Sequence, residues 1–143
     1  MKYILLVLLV IWPVSSFAEA LPGVTVWKDP NCGCCGNWIE HMKAAGFTVK
    51  TKNTENLQTI KQQAGIPEGL QSCHTALIGN YLIEGHVPAA DIKRLLKLKP
   101  KVKGLAVPGM PSGSPGMENG EHDPYSVLTF DMRGNTATFS KHP

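Results

Sequence analysis

The stretch Val24-Thr25-Val26-Trp27-Lys28-Asp29-Pro30-Asn31-Cys32-Gly33-Cys34-Cys35-Gly36-Asn37-Trp38-Ile39 holds three of the chain's four cysteines at a change of hydrophobic period. Val24 to Trp27 is a β-rich run closed by the turn-forming Asp29-Pro30-Asn31. Beyond Gly36 the period becomes helical: Trp38, Ile39, Met42 and Ala45 share one face, Glu40 and Lys43 the other, and Gly46 supplies a C-cap. A strand therefore runs into a cysteine-bearing turn that opens a helix.

Downstream, Phe47 to Lys52 alternates apolar with polar residues and predicts a second strand, and Asn56 to Ala64 predicts a helix ended by Gly65 and Pro67. A loop through Gly69 and Ser72 reaches Cys73-His74. Thr75 to Ile78 and Tyr81 to Glu84, joined by Gly79-Asn80, predict a β-hairpin. After Pro88, a helix is predicted over Ala89 to Leu98, with Ile92, Leu95, Leu96 and Leu98 on its apolar face. The order β-α-β-α-β-β-α predicts an α/β domain over residues 19–99. Residues 100–124 are dense in Gly, Pro and Ser and are expected to form no regular structure. Tyr125 to Phe130 and Thr136 to Ser140, around Arg133-Gly134-Asn135, predict a second hairpin, so that residues 100–143 form a C-terminal extension of loop plus hairpin.

Upstream, Lys2 precedes an apolar run from Ile4 to Val14 and the small residues of Ser16-Phe17-Ala18. This pattern predicts a secretory signal peptide over residues 1–18, cleaved after Ala18 or after the second small-x-small site at Ala20. The apolar run is about half of the ~20 residues a spanning helix needs, so no membrane attachment is expected after cleavage. Export places the cysteines in an oxidising compartment, where exposed thiols are paired, metal-bound or redox-active.

Composition narrows the classes further. The 143 residues are 43% apolar and 17% charged, enough for one globular domain with a core and too apolar for a disordered chain. Four cysteines are too few for a disulfide-dense miniprotein. A net charge of +3, without a sustained basic run, argues against nucleic acid as a partner.

Cys32 and Cys35 have the spacing of a redox pair at a helix N-terminus, where unpaired N–H groups favour thiolate. Cys34 between them is a liability for dithiol chemistry but an asset for a soft metal. Three readings stay open at this point: a metal site, a thiol-disulfide oxidoreductase acting through Cys32 and Cys35, and a structural domain with two disulfides. Met110 and Met117 repeat a Pro-Gly-Met motif, and thioethers select Cu(I). His74 beside Cys73 and His86 after Glu84-Gly85 are placed to reach the cluster, and His122 in the loop stays a candidate. His41 reads as a solvated face residue and His142 as tail, while the spacings of a zinc finger are absent.

The motifs Asp29-Pro-x-Cys-Gly-Cys-Cys35, Ser72-Cys-His-Thr-Ala76, Glu84-Gly-His-Val-Pro88 and Gly104-Leu-Ala-Val-Pro-Gly-Met-Pro-x-Gly-Ser-Pro-Gly-Met117 occur in this order. Together they closely resemble the CopG family of periplasmic copper-resistance proteins, over nearly all of the chain after the signal. The resemblance implies a thioredoxin-like domain whose C-terminal extension helps to bind metal. It implies copper as the bound metal, copper/thiol redox chemistry centred on Cys32 and Cys35, and a periplasmic location. By motif position, Cys32, Cys34, Cys35 and Cys73 carry over as the thiolate set, with His86, Met110 and Met117 as further ligands, while His74 stays a candidate ligand through its place beside Cys73. Where ordinary thioredoxins place a cis-proline, this chain has Cys73-His74-Thr75, which implies that Cys73 faces the cysteine helix. The expected partners are copper ions and periplasmic copper-export or redox proteins, and the expected state is a monomer.

Overall fold

The computed structural model describes residues 20–143. The expected signal segment lies outside the described residues. Among those described, no helix is long and apolar enough to cross a membrane. The chain is an α/β protein built on one sheet. Its elements run β1 (Val24–Lys28), α1 (Gly33–Ala44), β2 (Val49–Asn53), α2 (Leu57–Gln63), a short 3-10 turn (Glu68–Leu70), β3 (His74–Ile78), β4 (Tyr81–Glu84), α3 (Ala89–Leu98), β5 (Gly104–Ala106), β6 (Tyr125–Phe130) and β7 (Thr136–His142). The order β-α-β-α-β-β-α is found over Val24 to Leu98.

The seven strands lie in the order β2-β1-β3-β4-β5-β6-β7. β1 pairs parallel with β2 and antiparallel with β3, in a register that sets Lys28 opposite His74. The strand pleat sends alternate residues to opposite faces. Val24, Val26, Ala76, Ile78, Ile83 and Leu105 meet Trp38, Ile39 and Met42 of α1 and Ile92 and Leu95 of α3 in the main core. The other face carries a smaller apolar cluster, in which Ile66 and Leu70, just after α2, pack on Ala106 and Phe130.

Residues 100–124 do contain regular structure, contrary to the composition-based expectation: β5 pairs parallel with β4 and antiparallel with β6. Three residues are too few to show a period, and the first of them is a glycine. That glycine has a steric cause, because a Cβ on Gly104 would lie 1.8 Å from the Leu82 carbonyl oxygen. β5 stitches the closing hairpin to the rest, so one sheet runs across the boundary expected at residue 99/100.

Candidate metal centre

β1 ends at Lys28, and the turn after it delivers Cys32 to the N-cap of α1. The buried Lys28 Nζ donates to the Asp29 carbonyl at 2.7 Å, and Cys32 N–H donates to the same oxygen at 3.1 Å. The turn is thus braced from the sheet side. Cys32 Sγ accepts from Cys35 N–H at 3.3 Å, the bond a Ser or Asp oxygen makes at an ordinary N-cap. No acidic side chain occupies the first turn of α1, which leaves the positive end of its dipole to the sulfurs.

Cys32 and Cys35 are joined by a disulfide, and Cys34 and Cys73 are free. Cys34 Sγ lies 3.5 Å from Cys32 Sγ. All four sulfurs lie within 4.8 Å of one another, three of them half-buried and Cys35 buried. Cys73 comes from the loop before β3, remote in sequence, and no cis peptide bond occurs among the described residues. Burial first, and the neighbouring Cys34 second, push the Cys73 thiol up to about 12. At neutral pH it is a thiol, and a metal that takes this sulfur must displace a proton.

A second group of donors shares Cys73. The ligand atoms of Cys73, His74 and His86 also lie within 4.8 Å of one another. His86 Nδ1 is 2.7 Å from the Pro115 carbonyl and Nε2 is 2.9 Å from Cys73 Sγ. A carbonyl can only accept, so Nδ1 carries the hydrogen, and in the neutral ring the Nε2 lone pair faces the sulfur. This is the arrangement in which a backbone carbonyl orients a ligating imidazole. Burial lowers the His86 pKa, which keeps the ring neutral. His74 is fully buried, with Nδ1 3.4 Å from Cys73 Sγ and its ring 4.4 Å from that of Trp38. Among the described residues its Nε2 has no hydrogen-bond partner, and burial lowers its pKa well below the ordinary imidazole value. Two neutral imidazoles beside the free sulfurs of Cys34 and Cys73, joined by those of Cys32 and Cys35 when their disulfide is reduced, make a donor set that fits Cu(I) better than any hard cation.

The loop carrying the methionines folds back over this site. Ser114, Pro115 and Gly116 are buried. A Cβ on Gly116, whose φ is +90°, would lie 2.8 Å from the Cys34 carbonyl oxygen and 2.8 Å from the Trp38 nitrogen. Ser72 Oγ donates to the Gly109 carbonyl at 2.5 Å, which ties the residue before Met110 to the residue before Cys73. Met117 is half-buried and Met110 is 53% exposed.

Three histidines lie elsewhere. His41 is not a free surface residue: its Nε2 accepts from Ala89 N–H at 3.0 Å and caps α3. His142 binds Asp91 at 2.8 Å and stacks on Tyr125, fastening β7 to α3. His122 is exposed, with its ring against Gly113. A groove of about 580 Å³, lined by residues including Leu77, Leu82, Val102 and Met132, shares no residue with the cysteine site.

Sequence reasoning missed the polar support under Cys73. Glu84 is fully buried and accepts from Ser72 N–H at 2.6 Å, from Thr75 Oγ1 at 2.7 Å and from Lys61. The available signal was the motif Glu84-Gly85-His86, in which a carboxylate closes an otherwise apolar strand.

Comparisons with known proteins follow this geometry closely. Residues 70–117, the span from the Cys73 loop to Met117, match the family model described as "Protein of unknown function, DUF411". No curated protein matches. The fold resembles a solved structure titled "Copper resistance protein copG- Form 2", with TM-score 0.82 and 41% identity over 86% of this chain and 99% of that one. A Form 1 structure of the same title gives TM-score 0.81 and 40% identity over 86% and 98%.

Proposed function

The chain belongs to the CopG copper-resistance family, and from that premise we propose that it is a periplasmic copper-binding protein, exported by a signal at residues 1–18. With the Cys32–Cys35 disulfide reduced to two thiols, it sequesters Cu(I) through Cys32, Cys34, Cys35 and Cys73. The observation that carries this reading is the convergence of four sulfurs within 4.8 Å. In this reading His74 and His86 complete the donor set, and Met110 and Met117 add thioethers from the folded-back loop. Copper is cargo here, so the site needs soft donors at close range rather than an enclosed cavity for an organic substrate.

The reading extends to interconversion of Cu(I) and Cu(II), supported by a disulfide within reach of free thiols. The balance is simple: two Cu(I) ions each give one electron to the Cys32–Cys35 disulfide, which opens to two thiolates, leaving two Cu(II). The reverse closes the disulfide and returns two Cu(I). Periplasmic copper-export or redox proteins would take the ions or electrons, and the chain works as a monomer.

One observation favours a second reading. The Cys32–Cys35 disulfide at the start of α1 has the placement of a thiol-disulfide oxidoreductase pair. Cys34→Ser separates the two. Under the copper reading it lowers Cu(I) stoichiometry or weakens affinity by about tenfold or more, roughly the 1.4 kcal/mol of one lost soft ligand. Unchanged copper binding, with full turnover on a protein disulfide, would transfer the assignment to dithiol chemistry.

A further inference from the structure

Glu84 and Lys61 form an ion pair that is almost wholly withdrawn from water. Such a pair is a weak stabilising device, because desolvating two charges offsets most of their attraction. Its geometry suggests what else it does. One carboxylate oxygen accepts from Ser72 N–H at 2.6 Å and the other from Thr75 Oγ1 at 2.7 Å, so Glu84 grips the chain on both sides of Cys73-His74. Lys61 Nζ, from α2, donates to Glu84 and to Thr75 Oγ1 at 2.9 Å. The same Ser72 passes its hydroxyl to Gly109 at 2.5 Å. A single carboxylate therefore governs the loop of Cys73 directly and the approach of the methionine loop at one remove.

The geometry points to Glu84 as a positioning residue: held by Lys61, it fixes the Ser72–Thr75 segment so that the Cys73 sulfur stays opposite Cys34. The consequence for copper affinity rests on the function proposed above. The placement of Cys73 does not, and it can be measured without metal.

The test compares Lys61→Met/Glu84→Leu with Lys61→Met/Glu84→Gln. Both remove the two charges, but only the amide keeps an oxygen able to accept from Ser72 N–H. In a Cys32→Ser/Cys35→Ser background, Cys34 and Cys73 are oxidised with diamide, which takes two electrons and two protons from the thiols. The rate of disulfide formation is followed by mass spectrometry. In the four-cysteine chain, Cu(I) affinity is measured by competition with bicinchoninate. The Leu variant is expected to cross-link about tenfold more slowly and to bind Cu(I) about tenfold more weakly, the scale of losing a residue that orients a ligand. The Gln variant should recover most of both.

Cross-linking of the folded Leu variant at the parent's rate overturns the proposal. So does equal loss in the Gln and Leu variants, since that pattern belongs to a purely structural pair. Slower cross-linking in the Leu variant, with no copper bound by the parent, keeps the positioning role and removes the copper reading. Should the Leu variant not fold, Thr75→Val removes one grip at nearly constant volume. It should slow cross-linking about fivefold, the worth of one hydrogen bond, and an unchanged rate there is equally decisive against the proposal.

Discussion

The two faces of the sheet are covered in different ways. Under α1 and α3 lies a continuous apolar layer centred on Trp38, Met42, Ile92 and Leu95, all withdrawn from solvent. On the other face lie a cluster of four buried apolar residues, two of them just after the seven-residue α2, and the buried Glu84–Lys61 pair that α2 supplies with its lysine. The first face gains free energy from area removed from water, roughly 25 cal/mol per Å². The second gains little from its charges but fixes directions, since a carboxylate oxygen binds only where a donor points. Both end at the cysteines. The start of α1 brings three of them on a well-packed helix, while the fourth sits on a loop fixed on both sides by the Glu84 carboxylate.

The sharpest way to break this contrast is Trp38→Ala. The ring is fully buried and its Nε1–H donates to the Val87 carbonyl at 2.9 Å, so the substitution opens a cavity and orphans an acceptor. A loss of about 3–5 kcal/mol is expected in denaturant unfolding, the range for large aromatic truncations. A loss below about 1 kcal/mol would mean that the apolar face carries far less of the stability than its burial implies.

Acid tests the polar environment of the sulfurs. Burial lowers the pKa values of His74 and His86, so folding disfavours their charged forms. The unfolded chain takes up protons near the ordinary imidazole value of about 6.5, whereas the folded chain resists until lower pH. In that window the unfolded state binds more protons, and stability falls as pH falls. Metal-free protein should be less stable at pH 5.5 than at pH 6.5, by at most about 1 kcal/mol for each of the two rings. His74→Phe should flatten this dependence, and an equally steep profile in that variant would assign it to other groups.

The smallest effect on the fold, though not on the cargo, is expected from Met110→Leu/Met117→Leu. Volume and apolar character are nearly kept, so unfolding should shift by less than about 1.5 kcal/mol. Loss of two thioether donors should weaken Cu(I) by about tenfold or more. Affinity held at the parent's value would leave the loop a cover for the sulfurs and not a ligand.

What the sequence made readable follows the same divide. Trp38, Ile39 and Met42 announce α1 because a helix writes its buried face at a fixed local period. The cysteine turn is readable because its three sulfurs fall within four residues. β5 is not, since Gly104 is there for the sake of Leu82, a residue of another strand. Glu84 and Lys61 pass unremarked, and His41 is misread, for a related reason. A charge or imidazole in an amphipathic pattern looks solvated until a partner from another element arrives, as Thr75 does for Lys61 and Ala89 for His41. Nor can His86 reveal its tautomer alone, because the Pro115 carbonyl that fixes it is brought by the return of the loop.

The strand order leaves β2 and β7 as the two outermost members of the sheet. β2 carries Lys50 and Lys52, and β7 carries Lys141. Lysines on an outer strand disfavour the pairing of a foreign strand with it. The sheet is therefore self-limiting: chains crowded together are discouraged from zipping into fibres through their backbones.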